Sequence, residues 1–173
     1  MKLEIAACLQ LLERTPRVLH TLLHDLSDDW TRNNEGADTW SPFDVVGHMI
    51  VCEKNDFMTR AEIILSDVPE KFFTPIDMTA HFEWNKGKTM NDVLAEFAAA
   101  RDSNISKLRG LNLSAADLEK TGMHRKIGEV RLSELLATWV AHDLTHTAQI
   151  TRVMAKQYKE ATGPFIEFLR ILK

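Results

Sequence analysis

Cysteine, glycine and proline are scarce in this 173-residue chain, at two, seven and five residues. The two cysteines, Cys8 and Cys52, sit in apolar stretches without CxxC spacing, which excludes a disulfide framework and suggests reduced thiols of a cytosolic protein. There is no phosphate-cradling glycine loop, no GxSxG elbow and no paired-carboxylate acid/base set, so the enzyme classes built on them fall away. Charge of one sign is also missing. With 21 basic residues against 25 acidic, a net charge of −4 and no Lys/Arg run that could track a phosphate backbone, no nucleic-acid partner is expected. No stretch approaches the ~18 apolar residues of a membrane span. The opening MKLEIAACLQ is interrupted by Glu4 and lacks the apolar run of about seven or more residues that a secretion signal requires, so the cytoplasm is the expected location.

What the chain does have is apolar content, 45% of its residues, enough for one globular domain over residues 1–173. Apolar residues recur at three and four, the helical period, in four segments, and no segment shows a convincing strand alternation. The spacing predicts a first helix over residues 2–26, with Pro16 on its apolar stripe bending or splitting it. A second helix starts at WSPFD, where Ser41 caps, Pro42 takes the first position and Asp44 completes a capping box, and it runs to about Ser66. The connection over residues 66–88 is longer than bundles need and has the length of a lid or an interface. A third helix follows the Thr89 cap to Gly110, a fourth covers residues 132–156, and Gly163 and Pro164 restart a short C-terminal helix. The expected fold is all-α, a four-helix bundle of up-down type unless the long second link crosses over.

The stretch VAHDLTHTAQI carries polar groups where the fourth helix should be apolar. At about 100° per residue, His146 falls about 20° and His142 about 60° from Trp139, inside the buried arc with Asp143. Buried polar groups need partners, and histidines at i and i+4 project together so that two imidazole nitrogens can meet one divalent cation. A backbone carbonyl or a neighbouring acid would satisfy them equally well. His20 and His24 repeat the spacing at the edge of the first helix and are expected at the surface. His48, about two turns after the Ser41 cap, is the candidate third ligand. Cys52, four residues on, is a possible fourth. Asp143 and Gln149 are placed to orient an imidazole N–H or a bound water, with Asn55 and Asp56 weaker candidates for that task. His81 and His124 lie in charged connections and are expected in solvent, with a place facing a pocket the alternative for His81.

Trp40, Ser41 and Pro42 followed by His48, then HDLTHTAQI with His142 and His146, resemble the DinB family of damage-inducible and thiol-transferase-like four-helix bundles, and the match runs in helix order over essentially the whole chain. The resemblance implies a divalent metal held by His48, His142 and His146, a homodimer and a stress-response setting. It also implies metal-assisted S-transfer with a low-molecular-weight thiol as co-substrate. Two functions of different kinds are carried forward. One is a metal-dependent thiol transferase or hydrolase with an open three-histidine site and a small-molecule substrate. The other is a non-catalytic helical bundle with a structural metal, or a sensor or sequestering role. Imidazole ligands suit Zn, Ni, Fe, Cu and Mn, so the metal is not specified.

Overall fold

The computed structural model describes residues 3–173. Its elements in chain order are α1 (Ile5–Leu12), α2 (Thr15–Leu23), α3 (Asp28–Thr31), α4 (Pro42–Asn55), α5 (Phe57–Leu65), α6 (Ala80–Trp84), α7 (Met90–Gly110), α8 (Ala115–Leu118), β1 (Thr121–His124), β2 (Gly128–Arg131) and α9 (Leu132–Lys156), followed by 3-10 turns over Gly163–Phe168 and Arg170–Leu172. The expected start of the first helix at Lys2 lies outside the described residues. No helix among those described is long and apolar enough to cross a membrane.

Local chemistry sets the helix starts. Ser41 Oγ accepts from Asp44 N at 3.2 Å while the Asp44 carboxylate accepts from Ser41 N at 3.0 Å, and Thr89 with Asp92 builds the same reciprocal cap on α7. The proline expected to bend or split the first helix opens α2, dividing that helix in two. The second helix also breaks, at Asp56, whose backbone leaves the helical region (φ −119°, ψ −93°).

Four helical arms form the bundle: α1 with α2, α4 with α5, α7, and α9. The first arm packs on α7 and α9, and so does the second. The first and second arms therefore lie on one diagonal and the third and fourth on the other, while the second and third are side by side, which corrects the expected up-down order. The links over 24–41 and 111–131, which carry α3, α8 and the hairpin, give the chain the length to cross the bundle.

The absence of strands is corrected as well. β1 and β2 form an antiparallel hairpin pairing Thr121 with Arg131 and His124 with Gly128, too short for a period-two pattern to register. The hairpin ties down the long link, Phe73 N donating to Met123 O at 2.9 Å and Met123 N to Lys71 O at 2.8 Å. The apolar core falls into two clusters, one around Phe57, Leu108, Leu136 and Trp139, the other around Val45, Met49, Phe97 and Ile150. On α9 the buried residues between these clusters, Asp143 and His146, are polar.

Candidate metal centre

His48 on α4 and His142 and His146 on α9 bring their Nε2 atoms together. His48 Nε2 lies 3.3 Å from His142 Nε2, and His142 Nε2 lies 3.1 Å from His146 Nε2. His48 is 3% exposed and His146 9%, so burial governs their protonation. Burial, joined by the neighbouring imidazoles, pushes His48 down to about 4 and His142 to about 3; burial also lowers His146, against the pull of Gln149. Near neutral pH the cluster is three uncharged imidazoles.

Tautomers decide what such a cluster can hold. Gln149 Oε1 sits 2.8 Å from His146 Nδ1, so that nitrogen carries the proton and Nε2 presents its lone pair to the cluster. Among the described residues, His48 Nδ1 and His142 Nδ1 have no hydrogen-bond partner. Three converging Nε2 atoms cannot all be satisfied by one another, because the single N–H of His142 can donate to only one of the two nitrogens beside it. A divalent cation takes all three lone pairs at once. Bond lengths of about 2.0–2.1 Å and angles between 90° and tetrahedral separate two such nitrogens by about 2.9–3.4 Å. The two separations that involve His142 lie within that range, and all three donor atoms lie within 4.8 Å of one another, so the residues present fit a metal.

Aromatic rings wall the cluster. The Trp40 ring centroid is 4.8 Å from that of His48 and 6.4 Å from that of His146, while Phe57 packs 5.2 Å from His142 and stacks on Trp139. Cys52 Sγ lies 3.4 Å from His48 Nε2 and 3.7 Å from His142 Nε2. Burial raises the Cys52 thiol, helped by the Asp56 and Glu53 carboxylates.

Asp143 is placed differently from expectation. Its two oxygens accept from Arg101 Nη1 at 2.6 Å and Nη2 at 2.9 Å, so the carboxylate is spent on a guanidinium and orients no imidazole by a hydrogen bond. Asp56 pairs with Arg60 at 2.7 Å, and Asn55 is exposed. His20 and His24 are exposed, stacked on each other at 4.3 Å. His81, expected in solvent, is 1% exposed. It lies on α6, which packs so closely on α4 that a Cβ on Gly47 would sit 1.8 Å from Asn85 Nδ2. His124 is half-buried in β1.

The sequence reading missed a buried network behind the histidines. Arg101, 1% exposed, also donates to Glu53 Oε1 at 2.7 Å and to Leu12 O at 2.9 Å. Glu53 accepts in addition from Trp139 Nε1 at 3.0 Å and from Asn104 Nδ2 at 2.9 Å. Burial opposes the Arg101 charge, but the hydrogen bonds it donates to Asp143 and Glu53 and the charges of both carboxylates outweigh it and hold the guanidinium protonated. Two signals in the sequence point to this network. Arg101 stands four residues after Phe97 and four before Ile105 on an apolar stripe, and Glu53 four after Met49 and four before Phe57.

The family model for the DinB superfamily matches residues 11–150. Among solved structures, the chain is similar to YfiT from Bacillus subtilis, described as a probable metal-dependent hydrolase with an unusual four-helix bundle topology. The two share 19% sequence identity with a TM-score of 0.70, over 90% of this chain and 86% of YfiT, which is a likeness of fold. No curated protein matches the sequence.

Proposed function

The chain belongs to the DinB superfamily, and from that premise we propose that His48, His142 and His146 hold a divalent metal serving a metal-dependent enzyme that acts on a small molecule. The observation that carries this reading is the convergence of three neutral imidazoles through Nε2 at 3.1 and 3.3 Å. Bound there, the ion would act as a Lewis acid, polarising an electrophile or lowering the pKa of a coordinated thiol or water.

The chain's own residues do the rest. Gln149 holds the His146 ring in the tautomer that frees Nε2. Trp40 and Phe57 keep bulk water from the buried side of the cluster, which strengthens any charge interaction made there. Hydrolysis and thiol S-transfer are the two chemistries this arrangement supports. The hydrolase reading is favoured by the description of YfiT, and the transferase reading, with a low-molecular-weight thiol as co-substrate, by the resemblance of HDLTHTAQI to thiol-transferase relatives. The depth of the cluster favours one rival, a structural ion in a non-catalytic bundle.

A chelator separates these readings. Untagged protein is screened for ester and amide hydrolysis and for thiol consumption with several electrophiles, before and after metal removal. The enzyme reading predicts turnover that chelation abolishes and added metal restores, with helical content retained. Unfolding on chelation, with no turnover in any screen, would instead establish the structural ion.

A further inference from the structure

The three-histidine reading leaves one buried donor at the centre unassigned. Cys52 stands one helical turn after His48 on α4, so the two side chains project from the same face. It is 2% exposed, and its sulfur faces the ring nitrogens on both α4 and α9.

Distances distinguish a ligand from a bystander. With a zinc–thiolate bond of about 2.3 Å and a zinc–imidazole bond of about 2.0–2.1 Å, a tetrahedral angle places sulfur and nitrogen about 3.5–3.6 Å apart. Cys52 Sγ is 3.4 Å from His48 Nε2 and 3.7 Å from His142 Nε2, and the two nitrogens are 3.3 Å apart. These three atoms have the edge lengths of one face of a tetrahedral centre, and the 3.1 Å contact from His142 to His146 runs off that face. A thiol has one hydrogen and can donate to only one of the two nitrogens it faces. A cation at the centre uses both contacts.

We propose that Cys52 Sγ is the fourth ligand of the metal held by His48, His142 and His146, making a donor set of three imidazole nitrogens and one thiolate sulfur. The inference rests on the three-histidine reading and extends it. When the ion binds, the S–H bond is given up, its proton leaves to solvent and a sulfur–metal bond forms, with no change of oxidation state. A thiolate donor biases the site toward zinc, cobalt and ferrous iron and away from manganese and magnesium, which prefer oxygen. With Cys52 and the three histidines holding it, the ion would have to add a fifth ligand to act on a substrate, an expansion that some zinc sites make during reaction. Cys8, the other thiol, lies on α1 beside Ala137 and Val140 and takes no part.

Cobalt(II) loading tests the assignment without any knowledge of the substrate. Untagged wild type, Cys8→Ala, Cys52→Ala and Cys52→Ser are loaded with cobalt, and bound metal, near-ultraviolet absorption and circular dichroism are measured. Wild type and Cys8→Ala are expected to show an intense sulfur-to-cobalt charge-transfer band. Both Cys52 variants lose the band, keep the fold and still bind cobalt through the histidines. A band that survives in the Cys52 variants, or is absent from wild type carrying one cobalt, overturns the fourth ligand and leaves the histidine site standing. Wild type that takes up no cobalt overturns both.

Discussion

Glu35, in the link between the first two helical arms, shows how a single residue ties a loop to the helix that carries two of the histidines. Its carboxylate accepts from Arg152 Nη2 at 2.5 Å and pairs with Lys156 at 2.8 Å, both near the end of α9. The Arg152 hydrogen bond, with Lys156, outweighs desolvation and lowers Glu35 from its ordinary 4.5 to about 2. A folded pKa below the unfolded one means that the pairing stabilises fully above about pH 4.5 and is lost as pH falls toward 2. Arg152 is 43% exposed, so water and salt screen the pair and its contribution is small. Hydrogen exchange over residues 33–38 is expected to speed up, relative to the α9 core, as pH is lowered from 5 to 2 after correction for the intrinsic pH dependence of exchange. Unchanged protection would remove Glu35 from this role.

At the scale of elements, the buried Arg101 network sets how α4 and α9 face each other. Glu53 follows Cys52 directly, and Asp143 follows His142 directly, and both carboxylates close on one guanidinium. Arg101 stands on α7, diagonal to α9, and reaches across the middle of the bundle to do this. The network therefore fixes the register of the two helices whose imidazoles must meet within about 3 Å, a precision that apolar packing alone supplies less readily. Replacing Arg101 by leucine leaves two carboxylates buried without their counter-charge, which costs about 3–5 kcal/mol. The expected result is a large fall in the urea midpoint together with loss of metal affinity. A variant as stable as wild type would show that the network is not what holds the register.

Over the whole molecule, the sequence carried the features that arise within one helix. The capping boxes at Ser41 and Thr89, the break at Pro16 and the shared face of His142 and His146 all depend on residues within about a turn of each other, where helical geometry is fixed. Features that depend on how arms pack were not legible in the same way. The diagonal order of the arms follows from where long links cross the bundle, and His81 is buried because α6 settles onto Gly47 from a segment whose charge suggests solvent. Asp143 lay on the buried arc as expected, but its partner, Arg101, comes from a helix whose rotation the pattern alone did not fix. The histidine cluster stands between these cases, with two members set by one helix and the third brought in by the fold.

The claim on which the rest depends is that these three imidazoles share one ion. Elemental analysis of untagged protein, purified without added metal, beside the variants His48→Ala, His142→Ala and His146→Ala, tests it most directly. The account predicts about one divalent transition metal per wild-type chain, as a single mononuclear site requires, and metal near background in each variant. Wild type without metal that takes up none when offered zinc, cobalt, nickel or iron, or variants that keep a full equivalent, would contradict it.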